Sequence, residues 1–426
     1  MRATFVLATA LLLCLSGSGL ANSAPQVRNV SANQRGDDSK LVDIRYDLID
    51  ADGDACTVWV VASNDGGATW RVPIVTVWGD VGPGKTPGVN KTIVWDAGAD
   101  MSGVTGDFRV RVYADDGNSA DGLVLIPGGE FKMGDYFSDN ASSPNPEKPQ
   151  HWVFVDAFMM GRYEVTNQQY LEFLNDSLSN GAVEVKTDFV VYKKGTSTPF
   201  CATYDATQES RIVYTGTRFL IVPSEKANHP VVHVTWFGAV AYCNWRSQQL
   251  GKELCYFTGT LEPIYPFRNG IRLPTEAEWE RAARGGLSNK RFPWGDTINH
   301  NYANYYANGS AYTYDTSPYT NYTYHPTYTV VDMPYTAPVG SFAANDYQLC
   351  DMAGNVWEWC NDWYLNTYYG SSPYYNPTGA STGTYRVLRG GTWINNANYS
   401  RVACRYNDTP TTRTQDNGFR VVLDLK

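Results

Sequence analysis

A chain of 426 residues is longer than one ordinary hydrophobic core supports, so two domains are the starting expectation. Its net charge of −9 argues against a nucleic-acid partner, because phosphate contacts need a basic face. Hydrophobic content of 43% is globular, and an aromatic share of 14%, with 30 Tyr and 13 Trp, suits a loop-rich domain held by large side chains or a carbohydrate-facing surface.

Residues 1–24 read as an export leader. Arg2 supplies the positive start, Phe5 to Leu15 the apolar run, and Gly19-Leu20-Ala21 a small-residue cleavage site, with cleavage after Ala24 as the alternative. Leu13 before Cys14 fits poorly with lipoprotein processing, which prefers a small residue there. No later stretch is apolar enough to span a membrane, so an exported protein is expected: extracellular, periplasmic or on the cell surface. Without Cys14, the cysteines are Cys56, Cys201, Cys243, Cys255, Cys350, Cys360 and Cys404. Their odd number leaves one thiol free or paired between chains, and Cys243 with Cys255 is the first pair expected to bridge.

Residues 25–118 show short alternating runs: Val42 to Ile49, Thr57 to Ala62, Lys91 to Trp95 and Phe108 to Tyr113. Turns rich in Asp and Gly separate them, and this spacing predicts an immunoglobulin- or fibronectin-like sandwich. Asp50-Ala51-Asp52-Gly53-Asp54 has the look of a calcium loop, but it lacks the downstream Glu and reads as a turn. Asp115 to Gly122 reads as a linker, and residues 119–426 as a second domain with scattered short elements.

Three helices are predicted in that second domain. Thr166 caps one that buries Tyr170, Phe173 and Leu174. Thr235 starts another, burying Trp236, Val240 and Cys243 and ending near Gly251. Thr275 and Glu278 form a capping box behind Pro274, with Gly285 as the stop. From Asn301 to Asp332 the chain is rich in Tyr and Asn without periodicity, a length of loop that needs something such as a metal to pin it.

The stretch from Asp351 to Arg420 holds the densest motifs: Gly354-Asn-Val-Trp-Glu-Trp359, Arg389-Gly-Gly391 and Gly418-Phe-Arg420. Earlier ones stand in order before them: Ile126 to Gly134, Tyr163-Glu-Val-Thr-Asn167, His229-Pro-Val-Val232, Arg272 to Trp279 and Phe292-Pro-Trp-Gly295. Through these the chain resembles the formylglycine-generating enzyme, or sulfatase-modifying factor, family from about Leu123 to Leu425. The resemblance implies a loop-heavy α+β domain related to C-type lectins. It also implies an oxygen-dependent oxidation of a sulfatase cysteine to formylglycine, with copper(I) held by two cysteines. The matching positions here are Asn395 and Ser400, and Cys404 offers at most one thiolate. Copper(I) selects thiolates over amide and hydroxyl oxygens, so copper is not expected here.

The resemblance further implies calcium at Asp351, Gly354, Val356 and Glu358, and a second site at Asn304, Tyr305, Asp315 and Ser317. Carboxylates and carbonyls of this kind are the hard donors that calcium takes. Of the five histidines, His229 and His233 read as structural, and no Gly-x-Ser-x-Gly elbow is present. Trp357 and Trp359 read as core. A groove formed by Trp393, Asn395, Asn398, Ser400, Arg401 and Arg405 is then expected to bind an extended peptide or a glycan. The opposing expectation is a surviving formylglycine-generating oxidase.

Overall fold

Alternation of inward apolar and outward polar residues builds the N-terminal unit. The computed structural model describes residues 25–425 apart from 68–69, 71, 73, 102–105, 117–121, 141–144 and 330–332, so the expected leader lies outside the described residues. Strands β1 (Gln26–Gln34), β2 (Leu41–Ile49), β3 (Cys56–Ser63), β4 (Val77–Gly79), β5 (Gly82–Lys85), β6 (Gly88–Asp96) and β7 (Arg109–Asp115) form two antiparallel sheets. Their orders are β1-β2-β6-β4 and β5-β3-β7, with one helical turn, α1 (Ala97–Asp100), before β7. Ile44, Tyr46, Leu48, Val58, Ile93 and Trp95 fill the space between them. The turn at Asp50 forms as read: its Oδ1 accepts from the amides of Asp52, Gly53 and Asp54 at 3.0, 2.8 and 3.2 Å.

The outer face of β3 and β7 departs from the alternation rule. Trp59, Val61, Arg111 and Tyr113 pair across these strands, yet they are half-buried where a free sheet would expose them. They face the second domain: a cavity of about 110 Å³ is lined by Trp59, Val61 and Tyr113 on one side and Leu125, Pro127 and Ala157 on the other. The Asp115 carboxylate accepts the Leu125 amide at 3.0 Å, tying the end of β7 to the start of the next domain.

In that domain the elements shorten. Strands β8 (Leu123–Ile126), β9 (Gly129–Met133), β10 (His151–Val155) and β11 (Phe158–Gly161) precede α2 (Asn167–Ser179). Next come β12 (Val183–Val185), β13 (Val190–Lys193), β14 (Pro199–Ala202), β15 (Ile212–Tyr214), β16 (Phe219–Ile221) and α3 (Trp236–Gln249). Then follow β17 (Ile271–Arg272), α4 (Glu276–Arg284), β18 (Trp357–Trp363), β19 (Arg386–Arg389), β20 (Tyr406–Asp408), β21 (Asn417–Gly418) and β22 (Val422–Asp424). Two four-stranded sheets, β17-β22-β11-β8 and β20-β19-β18-β21, carry the framework, and β21 runs parallel to β18. The domain is sheet-rich with few helices.

All three predicted helices form with their predicted caps. Thr166 and Gln169 make a capping box on α2, Thr235 accepts the Gly238 amide on α3, and Thr275 with Glu278 boxes α4, which Gly285 ends at φ 55°. Tyr170, Phe173, Phe200, Trp236 and Tyr242 pack α2 and α3 into one aromatic core. The expected Cys243–Cys255 bridge is absent: the seven described cysteines are buried and no disulfide joins any of them. Cys255 turns its sulfur towards the Arg268 carbonyl at 3.5 Å, and both residues act as core filling. No described helix is long and apolar enough to cross a membrane.

Candidate functional site

The Arg-Gly-Gly turn after β19 explains its own sequence. Gly390 and Gly391 sit at φ 101° and 76°, where a side chain is strained. A Cβ on Gly391 would lie 2.8 Å from the Tyr399 carbonyl, and one on Gly390 would lie 3.3 Å from the Trp279 ring. The turn therefore presses the segment from Trp393 to Arg405 against α4.

Arginines then fix that segment from below. Arg401 forks onto Glu147 at 2.8 and 3.0 Å, and Arg405 onto Glu276 at 2.7 and 2.8 Å. Arg389 reaches Glu280 at 2.5 Å and also donates to the carbonyls of Val402, Ala403 and Cys404. Arg420 forks onto Glu358 at 2.6 and 2.7 Å and donates to the carbonyls of Gly161, Arg162 and Cys350. Arg401 and Arg405, expected in the groove, are thus buried staples. Trp393 is 1% exposed and also lies beneath the surface.

What faces outward is the pair Asn395 and Asn398, both half-buried. Asn395 accepts the Thr392 hydroxyl on its side-chain oxygen at 3.1 Å, and its carbonyl accepts the Tyr306 amide at 2.9 Å. Asn398 accepts from Arg401 Nε at 2.9 Å and from the Tyr314 hydroxyl at 3.1 Å. Beside them runs an aromatic stack that the sequence reading left unnamed. Tyr306 stacks on Tyr322 and Tyr324 at 5.1 and 4.3 Å, and Tyr324 meets Trp393 at 5.7 Å. The only sequence signal for it was the tyrosine density of the long loop.

That loop has its own anchor. Asp315 accepts the Tyr305 hydroxyl at 2.7 Å, the Asn308 amide at 2.8 Å and the Ser317 amide at 3.0 Å. A small core of Phe292, Ile298, Ala303, Tyr305 and Tyr314 sits beneath it. Of the second expected calcium set, the loop thereby joins Tyr305, Asp315 and Ser317, whose hydroxyl is buried without a partner. Asn304 points elsewhere: its amide donates to the Tyr335 carbonyl at 2.8 Å, while its own carbonyl accepts the Asn355 amide at 2.8 Å.

Ser400 is fully buried and its hydroxyl has no hydrogen-bond partner. Cys404 is buried, and burial, with Glu147 nearby, pushes its thiol up to about 12, so it stays protonated at neutral pH. The donors at 395 and 400 are an amide oxygen and a neutral hydroxyl, which do not fit copper(I).

Around the first expected calcium set lies a buried carboxylate group. Glu358 has both oxygens engaged, by Arg420 and by Trp279 Nε1 at 2.6 Å. Asp351 accepts the Gly340 amide at 2.6 Å on one oxygen, and its carboxyl meets that of Glu164, so the two can share a proton. Asn355 donates to one Glu164 oxygen at 2.9 Å. Burial raises Asp351 to about 6, and burial with the Asp351 charge raises Glu164 well above the carboxylate range. Among the described residues no three His, Cys, Asp or Glu side chains converge as a metal site, so a calcium ion here would draw on carbonyls such as those of Gly354 and Val356. Carboxylate and carbonyl oxygens of this kind are the hard donors that fit calcium. Glu164, inside the Tyr163-Glu-Val-Thr-Asn167 motif, joins this buried carboxylate group without having been expected there.

His229 and His233 are buried in the scaffold. His229 Nδ1 meets the Thr336 hydroxyl at 3.0 Å, and His233 Nε2 lies 3.3 Å from Glu209.

Comparison with known proteins places this geometry. The profile of the sulfatase-modifying factor enzyme 1-like domain matches residues 110–425. The formylglycine-generating enzyme of Streptomyces coelicolor is 34% identical over 331 residues, covering 72% of this chain and 90% of its own length. The bovine protein named inactive C-alpha-formylglycine-generating enzyme 2 is 30% identical over 313 residues, covering 70% and 86%. A solved structure, Treponema denticola variable protein 1, is 26% identical with a TM-score of 0.47, covering 71% of this chain and 94% of its own. The chain belongs to the sulfatase-modifying factor family.

Proposed function

We propose that this protein is an exported, calcium-stabilised binding member of its family that does not oxidise cysteine. The observation that carries the reading is the donor set at the family's two cysteine positions, where Asn395 and the buried Ser400 offer only hard oxygens. Cys404 does not replace them, because its thiol is held neutral in the core. The family itself leaves the point open: relatives of comparable identity include a named formylglycine-generating enzyme and a named inactive one. Asn395 and Asn398 beside the Tyr306, Tyr322 and Tyr324 stack form the surface that would take an extended peptide or a glycan. Calcium would be held by Asp351 and Glu164 with nearby carbonyls, relieving two crowded carboxylates.

The 34% identity to the Streptomyces enzyme is what favours the second reading, a surviving oxidase. Metal titration separates the two. The mature protein is expected to melt higher in calcium than in chelator, and to lose copper(I) to a competing thiol. Asn395→Cys with Ser400→Cys is expected to retain copper(I). Tight copper(I) binding by the unaltered protein would overturn the proposal.

A further inference from the structure

A second cavity, of about 560 Å³, opens between the two domains and is unrelated to the Asn395 surface. This volume falls within the range of ~300–1,000 Å³ usual for ligand sites, and domain interfaces are where such sites concentrate. One wall is Trp70, Arg111 and Tyr113 from the sandwich; the other is Tyr265, Phe267 and Asn376 from the second domain.

The walls are prearranged. Arg111 lies over the Trp70 ring, 4.1 Å from its centroid, and among the described residues its guanidinium has no hydrogen-bond or ion-pair partner. Tyr265 is 52% exposed, yet its hydroxyl is fixed by Asn361 Nδ2 at 2.9 Å, so the ring is held with a face open. Phe267 packs on Tyr265 at 4.8 Å and carries Arg272 above it at 4.0 Å. Asn376 exchanges two hydrogen bonds with Asp156, both 2.8 Å, at the rim.

Charge narrows the ligand. Arg272 is already taken by Glu278 and Asp424, so the carboxylates lining the cavity outnumber the guanidinium groups. An anionic ligand is disfavoured. Fixed aromatic faces with planar polar groups between them match a sugar ring, whose C–H face stacks on an aromatic while its equatorial hydroxyls meet a guanidinium or an amide. We propose that the cleft between the sandwich and the family domain binds a short neutral glycan, with Arg111 and Tyr265 as its principal contacts.

The test uses the full mature chain on arrayed neutral oligosaccharides of glucose, galactose, mannose and N-acetylglucosamine, with uronic-acid oligosaccharides and a proline-rich peptide alongside. A neutral oligosaccharide is expected to bind, with Arg111→Ala and Tyr265→Ala each weakening it about tenfold at unchanged melting temperature. Trp152→Ala, an exposed aromatic outside the cleft, is expected to leave binding intact. Absence of neutral-glycan binding, preference for the acidic sugars or the peptide, or indifference to both cleft variants would each overturn the assignment.

Discussion

The two domains solve one problem in different ways. The sandwich satisfies its backbone through ladders, so its interior can be apolar: Ile44, Leu48, Val58 and Ile93 with Trp95 and Tyr46. The family domain has long irregular segments whose carbonyls no ladder reaches. There, Arg389 hydrogen-bonds Glu280 and three loop carbonyls, and Arg420 hydrogen-bonds Glu358, the loop carbonyls of Arg162 and Cys350, and that of Gly161 at the end of β11. Arg405 does the same for Pro146 and Leu365. A buried guanidinium therefore takes the place of a missing strand, and its charge requires the buried Glu beside it. The lesson is that the arginines of such a domain are read first as scaffold and only then as site.

The largest expected effect breaks one such staple. Arg420→Met leaves Glu358 buried and uncompensated, and is expected to cost about 3–5 kcal/mol, seen as early loss of the family domain in thermal unfolding. Acid should act next. Burial, with Lys226 nearby, lowers His229 to about 3 from its ordinary 6.5. Above 6.5 neither state binds the proton; below it the unfolded chain does and the folded one does not. Stability is thus lost as pH falls from 6.5 towards 3, by about 1.4 kcal/mol per pH unit for this group. His229→Gln is expected to flatten that part of the profile in denaturant titrations. The smallest effect belongs to the sandwich, where Ile93→Val removes one methylene from a ladder-supported core and is expected to cost about 1 kcal/mol. Equal penalties for Ile93→Val and Arg420→Met would erase the contrast between the domains.

Local signals were legible in the sequence. Thr166, Thr235 and Thr275 announced three helices because a cap is a contact within a few residues. The strands around Ile44, Val58, Ile93 and Val112 were legible from period-two alternation. The partners of the arginines were not, since Arg401 finds Glu147 across 254 positions and Arg405 finds Glu276 across 129. No periodicity connects such pairs, so Arg401 and Arg405 looked like groove residues. Asn395 and Asn398, expected in the groove through their place after the Arg-Gly-Gly turn, are half-buried at the surface. The Tyr306, Tyr322 and Tyr324 stack was hidden because Asp315 folds that loop through contacts without a repeating pattern. The half-buried outer face of Trp59 and Tyr113 was equally hidden, because alternation alone assigns that face to solvent.

Product analysis tests most directly whether the Asn395 and Ser400 positions lack the means to hold copper(I). A sulfatase-type peptide with a central Cys is incubated with the mature protein, copper and oxygen, then weighed by mass spectrometry. The donors at Asn395 and Ser400 predict an unchanged peptide mass, with Cys404→Ala behaving identically. A mass loss matching conversion of the thiol to the aldehyde, abolished in Cys404→Ala, would contradict the account.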